Sequence, residues 1–220
     1  MMSYLFDDFK NIRTFPAATS VYRNGVFAPD LSEDSDDASL PLHIIHVGEI
    51  SGGHKWFIDM NEPRNVFLTA RIATSDTKID IEVNPNLPNL SFDGLIFCKN
   101  AGKVKINIIG NNNRDNTKIK IAVRLFAGAG SESVLAGLAN IPAENIGSET
   151  DINFSALCDP AAALVKMAPA QRISSVPADA RHAASIYSPA KRQIQYLETA
   201  GLSAAESVEL LNKAFMEEAM

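Results

Sequence analysis

Lys103-Val104-Lys105-Ile106-Asn107-Ile108-Ile109-Gly110-Asn111-Asn112-Asn113-Arg114-Asp115-Asn116-Thr117-Lys118-Ile119-Lys120-Ile121-Ala122-Val123-Arg124-Leu125 decides the fold class. Polar and apolar side chains alternate strictly over 103–108 and again over 118–125. A period of two puts one dry face and one wet face on an extended strand. The run between them is rich in Asn, Gly and Asp, which tolerate left-handed backbone and cap turns. The same texture spreads outward from Leu42 to Ile186. It predicts strands at 42–50, 55–60, 65–73, 77–83, 90–97, 103–109, 117–126, 133–139, 151–157, 163–167, 171–176 and 181–187. Asn84-Pro85-Asn86, Gly128 and Gly130 punctuate them. No helical period interrupts this stretch, so a βαβ architecture is excluded. A sandwich and a solenoid of stacked coils both remain.

The flanks differ from this core. Leu5, Phe9 and Ile12 predict a short amphipathic helix over 3–13. Asn24-Gly25 between apolar pairs predicts a hairpin over 20–28. Asp30 to Asp37 is an acidic loop that lacks the glycine and closing glutamate of a calcium-binding hand. At the other end, Ser188-Pro189 reads as a helix start and Gly201 as its stop. Ser203 and Glu206 form a capping box for a second helix, whose apolar stripe is Ala204, Val208, Leu211 and Phe215. The chain thus divides into an N-terminal helix, hairpin and acidic loop (1–40), a strand-rich core (41–187) and a helical end (188–220).

Composition narrows the function. A formal net charge of −6 leaves no basic excess for neutralising phosphates, so nucleic acid is not expected as a partner. The N-terminus lacks a basic start and an apolar core, and no stretch reaches the ~18 apolar residues of a membrane span. A cytoplasmic location is expected. Cys98 and Cys158 lie far apart and form no CxxC pair, which fits two buried thiols. His43 and His46, three apart in a strand, point to opposite faces and cannot share a metal. No phosphate loop or nucleophile elbow is present.

The tail carries a resemblance. Pro169 and Ile173 precede His182-Ala183-Ala184-Ser185, then come Ile194-Gln195-Tyr196-Leu197, Gly201-Leu202-Ser203 and Ala214-Phe215. This order and spacing resemble the C-terminal pattern of the SufB/SufD family, scaffold subunits of iron–sulfur cluster assembly. Val21 to Gly25 is similar to the family's early hairpin. Ala200 replaces the family's turn arginine, and Ala183-Ala184-Ser185 departs from the usual residues after the histidine. Ile173 stands where SufB carries a cysteine, while the histidine is kept, so the chain resembles SufD more than SufB.

The resemblance implies a mainly β fold: a right-handed parallel β-helix, or solenoid, followed by a C-terminal helical segment. It implies a non-enzymatic scaffold that pairs through its β-helix with a SufB-like or identical subunit. The C-terminal helices would dock a SufC-like ATPase through Tyr196, Gly201, Val208, Leu211 and Phe215. His182 is the candidate interface residue, and Cys158 a candidate soft ligand if it reaches the same interface. No cofactor is expected to stay bound; an iron–sulfur cluster would pass transiently through a subunit interface. The competing readings are a structural solenoid oligomer without a cluster role and a carbohydrate-active β-helix enzyme. The second needs carboxylates lining one solenoid face, whereas the acids here gather in loops and caps.

Overall fold

The computed structural model describes residues 18–32, 40–160 and 163–217. The strands are β1 (Ala18–Arg23), β2 (Val26–Phe27), β3 (Leu42–Met60), β4 (Val66–Pro85), β5 (Ser91–Asn100), β6 (Lys103–Asn111), β7 (Lys118–Ala127), β8 (Glu132–Ile141), β9 (Ser148–Cys158), β10 (Leu164–Ile173) and β11 (Ala178–Tyr187). Two helices follow, α1 (Lys191–Thr199) and α2 (Ala204–Glu217). Every strand pairing is parallel except the β1–β2 hairpin. Asn24 and Gly25 both take positive φ in that hairpin, as its turn type demands.

The chain winds as a solenoid of about six turns. One ladder stacks β1, the first halves of β3 and β4, then β5, β7, β9 and β11. The other stacks the second halves of β3 and β4, then β6, β8 and β10. β3 and β4 therefore serve both ladders, each as one bent strand where the sequence predicts two. β3 shifts register between Ile50 and Gly52, and β4 bends at Asp76, which has positive φ. Likewise 163–167 and 171–176 are not two strands. Residues 164–173 form one, with Pro169 tolerated because β10 lies at a sheet edge.

Paired residues in a parallel ladder share a face, so inward side chains stack rung upon rung. One row runs Leu68, Gly94, Ile121, Ile152; the next runs Ala70, Ile96, Val123, Phe154. Facing them are Ile79, Ile106, Leu135 and then Ile81, Ile108, Gly137. Nearly all are fully buried, and each large aliphatic contributes roughly 1.5–3 kcal/mol by leaving water. Size is complementary across the core. A methyl placed on Gly137 would come within 2.9 Å of the Phe154 ring, so the missing side chain of one ladder makes room for the bulk of the other.

The corners are held by buried polar groups. At the passage into the second ladder, Asn100 donates to Ser133 Oγ at 2.8 Å and to the carbonyls of Gly102 and Glu132, each at 3.0 Å. Its own oxygen accepts from the Gly102 amide at 3.0 Å. At the return corner, Thr117 donates to Asn112 Oδ1 at 2.9 Å, and Asn112 in turn donates to Thr150. Outside, an amide ladder runs from Asn111 to Asn84 at 2.9 Å and from Asn84 to Asp59 at 2.8 Å. These bonds fix the register at the corners.

The first rung is closed. Tyr22 and Trp56 sandwich the inward His46, with ring centroids at 4.5 and 4.0 Å and nearly parallel planes. Burial, with a smaller contribution from the charge on nearby His54, pushes the His46 pKa down to about 4. His43 points outward and meets Thr69 Oγ1 at 3.1 Å, on the opposite face as its spacing requires. Cys98 is a core thiol whose pKa burial raises to about 12. The helix expected over 3–13 lies outside the described residues. So does most of the acidic loop, of which Pro29–Leu31 form a 3-10 turn.

Two outcomes follow from this core. His46 is neutral when folded down to about pH 4 but takes its proton near pH 6.5 when unfolded. Its stabilisation is therefore complete above pH 6.5 and is lost as pH falls towards 4, a change of about 3 kcal/mol. Urea unfolding across that window should show a shallower acid loss for His46→Phe than for the wild type; equal losses would contradict the stacked, dry environment. Gly137→Ala should cost about 1–3 kcal/mol by overpacking. Adding Phe154→Leu should recover part of it in a double-mutant cycle, whereas strict additivity would show that the two positions do not touch.

Candidate functional site

The last rung has no counterpart to the aromatic plug. β10 and β11 are the two ends of the sheet order, and each has a strand neighbour on one side only. Ten residues of each strand therefore present an unpaired backbone edge. Their inward side chains are what the next rung would cover. In β10 these are Val165, Met167, Pro169, Gln171 and Ile173, in register with the inward residues of β8. In β11 they are Ala178, Ala180, His182, Ala184 and Ile186, in register with those of β9. None of the ten is buried; Ile173 is 38% and Ile186 52% exposed. Trp56, Ile58 and Met60, on the opposite outermost strand of the second ladder, are each 9% exposed or less. Gly52–Met60 of β3 likewise pairs on one side only, with β4, so the two ends differ in their inner layers: side chains are covered at the first end and uncovered at the last.

His182 sits in the middle of the open layer. It ends the Leu68–Gly94–Ile121–Ile152 row, so its imidazole takes an inward position with no rung beyond it. Gly137 abuts Ile152 and Phe154 across the core. One rung on, register places Pro169 opposite His182 and Ala184. The neighbours of His182 along β11 are alanines, which makes the layer thin and leaves room for side chains from another molecule. Arg181, adjacent in sequence, faces outward and pairs with Asp179 at 2.7 Å.

Cys158 is inward too, at the far end of β9, where it pairs with Ala127 and packs against the core. Burial raises its thiol pKa. Six ladder positions separate its row from that of His182, roughly 20 Å along the strands. The structure does not bring these two residues together. Among the described residues no group of three His, Cys, Asp or Glu side chains is placed to hold a metal ion.

Gln171 is the residue that the sequence pattern hid. Splitting β10 into two strands broke the parity that puts Gln171 on the face of Met167 and Pro169. Its side-chain nitrogen is buried and has no partner among the described residues. With His182 it supplies the polar groups of an otherwise apolar end layer.

The helices do not plug this end. α2 lies on the outer flank of the first ladder. Phe215 meets Tyr187 edge-on at 6.2 Å, and the Phe215 carbonyl accepts from Arg124 Nη1 at 2.6 Å. α1 begins at Lys191 rather than at Ser188-Pro189. The amide of Ala190 is satisfied by the Gln193 side chain at 2.8 Å, so Pro189 packs just ahead of the helix instead of opening it. Gly201, at φ +95, makes the turn between the helices, and Ser203 and Glu206 form the expected capping box. Val208, Leu211 and Phe215 are half-buried, whereas Tyr196 is 74% exposed. None of the described helices is long and apolar enough to cross a membrane.

No curated protein matches the chain. A family does: the SufBD core domain of the SUF system for FeS cluster assembly, over residues 65–215. The matched span covers more than half the chain, takes in the coils from β4 onward, and includes the open rung and both helices. The chain therefore belongs to the SufB/SufD family, and its role lies in iron–sulfur cluster assembly.

Proposed function

We propose that this protein is a non-enzymatic, SufD-like scaffold that assembles through its open rung with a second solenoid, either a SufB-like subunit or another copy of itself. The observation that carries this is the contrast between the two solenoid ends. Free edges on β10 and β11 and an uncovered, small-residue inner layer offer the same two complementarities to a partner's terminal rung: backbone hydrogen bonds that continue the ladders and apolar contact beneath them. His182 then lies at the seam, where an imidazole nitrogen suits iron in transit. The cluster is cargo rather than a resident group, and Ile173, in place of a cysteine, leaves the thiolate to the partner.

Docking of a SufC-like ATPase falls to the helical end. What supports it is the division of labour between the helices. α1 has no buried residue, and Tyr196 stands in solvent, while Leu211 and Phe215 of α2 are taken up by the solenoid flank. The docking set is accordingly narrower than the whole stripe, centred on Tyr196 and the Gly201 turn.

Co-expression with a SufB-like subunit and a SufC-like ATPase, followed by size-exclusion chromatography with light scattering, tests the assembly. A stable complex is expected; elution of this chain alone at every concentration would overturn the scaffold reading. Ile186→Asp puts a charge on the pairing layer without disturbing the isolated fold, and should abolish solenoid pairing while far-UV circular dichroism stays unchanged. His182→Ala should leave the complex intact but lower its iron–sulfur content; normal loading would remove His182 from the site. Tyr196→Ala should release the ATPase and keep the SufB-like partner.

A further inference from the structure

A cavity of about 380 Å³ lies on the flank of the solenoid, between the outer face of the first ladder and the helical end. It lies on the other face of the strands from the open rung's inner layer, because its floor belongs to outward residues. The register row Phe97, Arg124, Ser155, Ser185 crosses beneath it. Leu157, Leu211 and Phe215 form its apolar walls, and Ser155, Ser188 and Gln193 bring polar groups to it.

Arg124 is the one cation in this lining. It is half-buried, and its guanidinium carbon lies 5.5 Å from the centre of the Phe215 ring. Among the described residues its hydrogen-bond acceptor is the Phe215 carbonyl, and no carboxylate pairs with it. A guanidinium has five N–H donors in a planar fork, so most of that fork is left to whatever fills the cavity. Arg124 is half-buried, so an anion entering the cavity meets the open part of the fork with its charge only partly screened by water.

We infer that this cavity binds a small amphipathic carboxylate. The carboxylate lies on the Arg124 fork with Ser155 and Ser188 beside it, and the apolar body fits between Leu157, Leu211 and Phe215. A planar carboxylate matches a single guanidinium in bidentate geometry. A phosphate dianion would call for a second cation, which the lining lacks. A neutral apolar ligand would gain no charge-assisted contact from the fork. Because the occupant touches both β9 and α2, binding ties the helical end to the solenoid at the point where they meet.

Benzoate is the probe. Titrated into the full chain and followed by methyl and arginine side-chain NMR, it should give saturable shifts at Leu157, Leu211 and Arg124. Benzamide, its neutral near-isostere, should bind about tenfold more weakly or worse, the loss expected for one charge-assisted contact. Arg124→Gln should lose binding and Arg124→Lys should keep part of it. Because Arg124 also clasps the Phe215 carbonyl, Leu211→Trp provides an independent check. It fills the cavity, spares the clasp and should block benzoate with an unchanged circular dichroism spectrum. Absence of saturable shifts, or equal affinity for benzoate and benzamide, would overturn the inference. So would binding that emerges only in Glu217→Gln/Glu218→Gln, since the chain's own carboxylate would then be the occupant.

Discussion

A parallel ladder cannot finish itself. Each rung satisfies the backbone of the rung before it and covers that rung's inward side chains, so the last one always lacks what it gives to its neighbours. Everything particular to this protein lies in how it treats its two ends. At the first rung the chain uses aromatic rings: Tyr22, His46 and Trp56 stack across the interior and shut out water. At the last rung no stack of rings lies inward among the described residues, β11 offers mostly alanines, and two strand edges are left bare. The cost of the open end is exposed apolar surface and unpaired amides. In the proposed assembly a partner's rung would remove both penalties together and tie the stability of the last coil to pairing.

The helical end serves a different purpose from a cap. It lies against the flank, held by the Arg124 contact with the Phe215 carbonyl and by the edge-on contact of Phe215 with Tyr187. Of the apolar stripe predicted from the sequence, Leu211 and Phe215 face the solenoid and Val208 is half-buried, while Ala204 is exposed. The open rung is thus left free, and the exposed helix α1 points a second surface outward. On the proposed reading, the two partners would meet different residues and would not compete.

Much of the fold was legible in the residues. Strict alternation over 103–108 and 118–125 marked strands with one dry face, and Asn24-Gly25 marked the hairpin. The choice between sandwich and solenoid was not legible from alternation, because period two is a property of the strand and not of its neighbours. Register decides it, and register is a long-range fact. Corners were legible where glycine or asparagine marks them, but the bends inside β3 and β4 fall where the polar and apolar texture continues without a break. Residues 163–176 read as two short strands because the alternation was not carried across Pro169, which an edge strand accommodates. The consequence reached the site: parity across Pro169 would have put Gln171 and Ile173 in the end layer beside His182. The buried imidazole of His46 was equally hidden, since only the solenoid brings Tyr22 and Trp56 to either side of it.

Hydrogen–deuterium exchange on the isolated chain and on its complex with a SufB-like subunit tests the central claim, that the open rung is the pairing surface. Amides of 164–173 and 178–187 should exchange rapidly in the isolated chain and become protected together in the complex, with the first rung around Tyr22 and Trp56 unchanged. Protection confined to the first rung or the helices, with β10 and β11 still exchanging freely, would contradict the account.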